Sequence, residues 1–206
     1  MGTPMNESYR TRVAIQKSGR LTEGSVNFLV SMGLKFQTNG RNLVTPCENI
    51  PIDILHLRDD DIPEYVCRSV VDFGIVGENV LYEKNVHVRL LKRLGFSPCS
   101  LVIAVPKGSP IKVPEDLEGE RIATSHPRLL TRFLKERQIN AAIITIRGAV
   151  EVAPQLNLAD AVCDITQTGR TLKEHDLIPL ATVFESQAVL IESPFAKPDK
   201  MNLLTL

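Results

Sequence analysis

The chain has no surplus of charge of either sign. Lys and Arg together number 24, and so do Asp and Glu, so the formal net charge over 206 residues is zero. Nucleic-acid binding draws on a basic excess to meet phosphates and is therefore not expected. No apolar run approaches the roughly 18 residues of a membrane-spanning helix. The polar stretch from Met1 to Arg12 lacks the apolar core of a secretion signal. These absences lead to the expectation of a cytoplasmic protein with no membrane partner. Four cysteines (Cys47, Cys67, Cys99 and Cys163) form no C-x-x-C pair. Reduced, buried thiols are expected, not a disulfide frame or a zinc site. His56, His87, His126 and His175 lack ligand spacing, which argues against a metal cage. No Ser/His/Asp constellation, internal repeat or low-complexity tract is legible.

What is present is ordinary globular composition, 43% hydrophobic and 23% charged, in a length suited to one or two domains. Apolar runs alternate with helical patterns, which predicts an α/β fold. Strands are expected at Arg12–Gln16, Ile52–Leu57, Val70–Val76, Val86–Leu94 and Ser100–Val105, with further extended segments near Lys35–Thr38 and Asn42–Thr45. Thr22 is expected to cap a helix with Val26, Leu29 and Val30 inward and Gly33 as its stop. Pro63 opens another helix after three aspartates. Pro106-Lys107-Gly108-Ser109-Pro110 is the expected boundary. Beyond it lie strands Arg121–Thr124, Ala142–Ile146 and Ala161–Ile165, a helix opened by Pro127 with Leu129, Leu130, Phe133 and Leu134 inward, and a short helix from Gly148. Leu177–Phe184 and Ala188–Glu192 are expected to return to the first lobe. The architecture expected is two-lobed: residues 1–105 with 180–206, and residues 106–179, with a ligand cleft between them. The last ten residues open like a helix at Pro198 and stop without a cap.

The most informative segment is 160–172. An apolar strand ends in Thr166-Gln167-Thr168-Gly169-Arg170-Thr171 before a helical pattern from Leu172. Such a turn presents backbone N–H groups, hydroxyls and a helix dipole to one point, which makes an anion cradle. Asp164, just upstream, suits sugar hydroxyls, so the pair suggests a sugar phosphate; the bland alternative is an ordinary strand-turn-helix. Lys17-Ser18-Gly19-Arg20 is a second strand-turn-helix, either a phosphate turn or a solvated one. Gly74 and Gly77 flank a strand end, either for a flat ligand or for tight packing. Arg58 reads as a phosphate clamp or, preferably, as the ion-pair partner of Asp59–Asp61. Glu151 either caps locally or binds a ligand.

Several blocks, in order, resemble the ATP phosphoribosyltransferase family, whose members open histidine biosynthesis. They are Gln-Lys-Ser-Gly-Arg-Leu (16–21), Leu-Arg-Asp-Asp-Asp-Ile-Pro (57–63), Asp-Phe-Gly-Ile-Val-Gly-Glu-Asn-Val-Leu (72–81), Arg-Ile-Ala-Thr-Ser (121–125) and Val-Glu-Val-Ala-Pro (150–154). The family signature is met by Glu151 and by Asp164 through Leu172, with Asn157 standing where the family usually has glycine. Asparagine tolerates positive φ, so the turn is expected to survive. The resemblance covers about Arg12 to Glu192. It implies a type II periplasmic-binding-protein-like fold.

The implied reaction joins a ring nitrogen of ATP's adenine to the anomeric carbon of phosphoribosyl pyrophosphate, releasing pyrophosphate. By the same resemblance, Thr166, Gln167, Thr168, Gly169, Arg170 and Thr171 cradle the sugar phosphate. Asp164 and Glu151 hold ribose hydroxyls or the metal-bound end of the donor. Lys17, Ser18, Gly19, Arg20, Arg41 and Arg58 surround the polyphosphates, with Arg20 and Arg41 stabilising the leaving group. Asp72, Gly74 and Gly77 line the adenine and donor site, with Cys99 near it. The cofactor implied is Mg²⁺, bound through substrate with Glu151 or Asp164 as the protein contact. A homodimer or higher homo-oligomer is expected. The motif forms look like the long branch, whose C-terminal regulatory domain binds histidine. The chain is therefore expected to be a long-form core without that domain, or a short form working with a separate regulatory subunit. The competing readings are a subunit weakly active alone and a small-molecule binding module.

Overall fold

The computed structural model describes residues 10–37 and 42–195. The chain divides into two units, one built from residues 1–97 and 188–206 and the other from 98–187.

The first unit is a six-stranded sheet in the order β2-β3-β1-β4-β11-β5. Its centre is β1 (Thr11–Gln16), flanked in parallel by β3 (Ile52–Leu57) and β4 (Phe73–Gly77). The edges are antiparallel: β2 (Val44–Pro46) on β3, and β11 (Ala188–Glu192) between β4 and β5 (Arg89–Arg93). Both faces are covered, so the central strands are apolar on both sides. Val13, Ile15, Ile54, Phe73 and Ile75 pack with Leu21 and Leu29 at α1 (Thr22–Ser31). Ala14, Val76 and Val189 pack with Ile62 and Val66 of α2 (Ile62–Cys67) and Val80 of α3 (Glu78–Lys84).

The second unit is a five-stranded sheet, β10-β6-β9-β7-β8. Here β7 (Arg121–Thr124), β8 (Ala142–Thr145) and β9 (Ala161–Thr166) are parallel, so all three end at one edge. Antiparallel to β9 runs β6 (Cys99–Pro106), which pairs in turn with β10 (Leu177–Ser186). On one face α4 (Pro127–Glu136) buries Leu129, Leu130, Phe133 and Leu134 against Leu101, Ile103 and Ile122. The other face carries Val150, Ala153 and Leu172, the last from α5 (Arg170–Glu174).

Several expectations are corrected. Residues 100–105 and 177–184 were expected in the first lobe, wholly or in part, yet β6 and β10 both belong to the second sheet. The reason lies in β6 itself: Leu101, Ile103 and Val105 face one core layer while Val102 and Ala104 face the other, so it is an interior strand. Pro106–Pro110 is a turn closed by the Ser109 amide on the Pro106 carbonyl, within the unit and not a linker. Leu21 takes the N-cap position of α1, and the Thr22 hydroxyl donates instead to the Gln16 carbonyl at 3.2 Å. Val30 faces solvent and Ser25 takes the inward place, its hydroxyl satisfied by the Leu21 carbonyl at 2.7 Å. Residues 34–37 form no strand. The expected C-terminal helix at 197–206 lies outside the described residues, as does Thr38.

Candidate active site

In open α/β sheets, ligands gather outside the carboxyl ends of parallel strands. Each unit has one such edge, and the predicted site residues divide between them.

In the second unit, the 166–171 loop follows β9. The Thr166 hydroxyl oxygen accepts the Gly169 amide at 2.9 Å, and the Thr168 hydroxyl oxygen accepts the Arg170 amide at 3.4 Å. Gly169 holds φ at +72°, which turns the chain into α5 one residue later. Gln167 reaches back to the Pro98 carbonyl at 3.3 Å. Cys99 is buried beside it at the start of β6, where Ser100 pairs with Thr166. The Arg170 side chain does not enter the loop: it pairs with Glu174 along the helix at 2.7 Å. Asp164 is partly buried, and burial lifts its carboxyl above the ordinary value. The Ile165 amide at 2.8 Å pulls it down and the Glu151 charge pushes it up.

The same edge holds residues that sequence reasoning missed. Ser125 and His126 follow β7, with the Ser125 hydroxyl 3.0 Å from the His126 Nδ1. Arg147 follows β8 and is exposed, with no ion pair among the described residues. The available signal was the strand-then-turn pattern itself, weaker here because it lacks the hydroxyl run.

In the first unit, Lys17, Ser18, Gly19 and Arg20 follow β1. The turn is propped by Gln16, whose Oε1 accepts the Leu21 amide at 2.8 Å. A β-carbon on Gly19 would lie 2.8 Å from that same side chain, and its φ of +129° suits glycine alone. The Lys17 amide donates to the Leu57 carbonyl at 2.8 Å, which brings Arg58 to the same edge. Gly77 ends β4 beside them, its amide donating to Asp59 Oδ1 at 3.4 Å. Arg20 Nη1 donates to the Ser97 carbonyl at 2.5 Å, while the Ser97 hydroxyl donates to the Arg20 carbonyl at 2.9 Å.

Arginines 10, 68, 89, 93, 121, 132 and 170 all form ion pairs. Lys17, Arg20 and Arg58 form none among the described residues, so the expected pairing of Arg58 with Asp59–Asp61 does not occur. Three cations with no ion pair among the described residues thus gather at strand carboxyl ends, an arrangement that can attract a multiply charged anion. Burial, and then the charge of Lys17, holds nearby His56 below its ordinary value; its Nε2 lies 3.1 Å from the Thr45 hydroxyl.

Two predicted residues are not brought to this edge. Asp72 precedes β4 at the opposite end from Gly77, where its buried carboxylate accepts the Arg12 amide at 2.9 Å. Gly74 lies under α2, and a β-carbon there would come within 2.6 Å of Ile62. Tight packing accounts for this glycine. Arg41 lies outside the described residues. Among the described residues no three His, Cys, Asp or Glu side chains cluster to hold a metal ion, and no helix is long and apolar enough to cross a membrane.

The fold is that of a two-unit α/β protein of the type II periplasmic-binding-protein kind, with glycine-containing turns at its strand ends. The periplasmic aliphatic sulphonate binding protein SsuA from Escherichia coli shares that fold at 17% identity, with a TM-score of 0.62 over 95% of this chain and 68% of that one. The family model HisG, ATP phosphoribosyltransferase, matches residues 58–205. An ATP phosphoribosyltransferase of Cytophaga hutchinsonii is 45% identical over 193 residues, spanning 94% of this chain and 68% of the relative. The ATP phosphoribosyl transferase (HisG:HisZ) complex from Thermotoga maritima superposes with a TM-score of 0.79 at 30% identity, over 95% of this chain and 94% of that one. The chain belongs to the ATP phosphoribosyltransferase family, which makes it a pentosyltransferase of histidine biosynthesis.

Proposed function

We propose that the two edges take one substrate each in the transfer of a phosphoribosyl group to the adenine ring of ATP. The observation that carries this reading is the unpaired cation set Lys17, Arg20 and Arg58 on one unit, with a hydroxyl-lined loop beside two carboxylates on the other. Thr166, Thr168, Gly169 and Thr171 receive the 5-phosphate of phosphoribosyl pyrophosphate, with Gln167 bracing the loop. Asp164 and Glu151 accept from the ribose hydroxyls. Lys17, Arg58 and the 18–19 turn hold the ATP polyphosphate beside Gly77. Arg20, with Arg41, meets the departing pyrophosphate.

The chemistry needs no protein nucleophile. The adenine nitrogen forms a bond to the anomeric carbon as the carbon–oxygen bond to pyrophosphate breaks, through a carbon with oxocarbenium character. The barrier is lowered by orientation and by donors aimed at the charge that develops on pyrophosphate. Two carboxylates, the Glu151 charge acting on Asp164, with no third His, Cys, Asp or Glu clustered beside them among the described residues, suit Mg²⁺, which binds mainly through substrate phosphates with one or two protein carboxylates. Asp164 and Glu151 would hold it, and bound there it would neutralise part of the donor's charge.

The protein would act in the cytoplasm as a homodimer or higher oligomer. A regulatory partner is supported by the two-component composition of the Thermotoga maritima assembly. The test is to mix the chain with ATP, phosphoribosyl pyrophosphate and Mg²⁺ and follow the ultraviolet absorbance of the adenine adduct. Turnover lost in Asp164→Ala supports the assignment. Undiminished turnover in that variant overturns it, and saturable donor binding without turnover assigns catalysis to the partnered form.

A further inference from the structure

The turn after β3 carries a carboxylate that the mechanism above leaves unused. Asp59 is partly buried and accepts the Gly77 amide where β4 gives way to α3. Arg20 stands at the same glycine: its Nη2 lies 3.3 Å from where a Gly77 β-carbon would be, and Asn79 Oδ1 lies 2.6 Å from that point. Arg20 and Asp59 form no ion pair, so the guanidinium keeps donors for an anion while the carboxylate attracts it from a distance.

We propose that Asp59 is a positioning residue for Arg20: fixed by the Gly77 amide, it sets the orientation of the guanidinium that meets the departing pyrophosphate. The proposal rests on the role given to Arg20 above. One arm of that guanidinium is already tied to Ser97. An anion-facing arginine held at one arm still rotates about that contact, and a charge behind it restricts the rotation. Burial lifts the Asp59 carboxyl to about 6, against the Gly77 amide and Arg20, which draw it down, and with Asp60, which raises it. The other groups around it are accounted for. β4 and α3 offer the Gly77 amide and the Asn79 side chain, while Glu78 is turned to Arg93 and Lys17 acts on His56. Asp59 thus loses its charge in mildly acid solution, and with it the hold on Arg20.

The first test needs no turnover. Carboxyl carbon NMR titration of Asp59 should give a midpoint near 6 in the wild-type chain, as its surroundings dictate, and a higher midpoint in Arg20→Gln. The same midpoint in both overturns the proposal. The second test is kinetic. Asp59→Asn keeps an acceptor for the Gly77 amide, so the fold persists. We expect kcat to fall by up to about 100-fold with KM for ATP little changed, the acid limb of the pH profile to vanish, and no further loss when the change is added to Arg20→Gln. A wild-type pH profile in Asp59→Asn, or losses that multiply in the double variant, overturns it. If Arg20→Gln alone turns over normally, the role of Arg20 has failed, and the titration still reports whether the two residues are coupled.

Discussion

Thr166 and Gly169 close the 166–171 loop on each other: the threonine oxygen accepts the glycine amide at 2.9 Å while the glycine sits at φ +72°. A β-carbon at 169 would meet nothing within 4 Å. Gly169→Ala should therefore cost about 1–2 kcal/mol of backbone strain and no packing. If the loop binds the donor, KM for phosphoribosyl pyrophosphate rises while KM for ATP stays put. Calorimetry and initial rates on one variant read both.

Asp164 and Glu151 form the second prediction. Because the Glu151 charge helps to hold Asp164 above its ordinary value, Glu151→Gln should move the Asp164 titration to lower pH, as measured by NMR. An unmoved titration means the two are not functionally linked.

Asp59 carries a stability consequence whose sign runs opposite to its usefulness. A carboxyl raised to about 6 in the folded chain stabilises the fold only while protonated, below its unfolded value. That contribution disappears as pH rises through 6. Asp59→Asn should thus unfold in more urea than wild type at pH 8, by on the order of 2–3 kcal/mol, and match it near pH 4. A slower but more stable variant is the trade expected where a charge is kept for function.

Asp160 behaves the other way. Two hydrogen bonds from the Arg121 side chain and one from its amide bring its carboxyl to about 2. The stability this supplies is complete above the ordinary aspartate range and is lost as pH falls towards 2. Arg121→Met should flatten that acid loss in equilibrium unfolding. The same arginine donates to the carbonyl of Asn157, which holds φ at +55°. Asn157→Gly should be nearly neutral, whereas Asn157→Val should cost about 1–2 kcal/mol.

Gly74→Ala should destabilise by about 1–3 kcal/mol through overpacking against Ile62 and leave both KM values unchanged. A rise in KM for ATP would return this glycine to the substrate site.

The two strand-turn-helix edges were legible in sequence because they are local: strand, turn residues and helix follow one another within a dozen positions. The α4 face was legible for the same reason, since its inward leucines recur at helical spacing. Membership of β6 and β10 was not, because which sheet an apolar strand joins depends on partners far along the chain, as Val102 opposite Asp164 illustrates. Asp72 misled because its motif neighbours Gly77 in sequence while β4 carries the two to opposite ends of the sheet. Arg58 misled because adjacency in sequence to three aspartates does not aim a side chain at them. Arg147 and Ser125 were missed because only the parallel register of β7, β8 and β9 brings them level with Asp164.

The register between Cys99 and Ser186 makes those two residues direct partners across an antiparallel ladder. The chain departs for the second unit and comes back from it at adjacent rungs, on the order of 5 Å apart. Residues 98–187 are thus a self-closed insertion whose ends need no spanning linker. Expressed alone or grafted into another host loop, the segment is expected to keep its fold, with its hydroxyl-lined turn and both carboxylates carried along, and circular dichroism of residues 98–187 checks it.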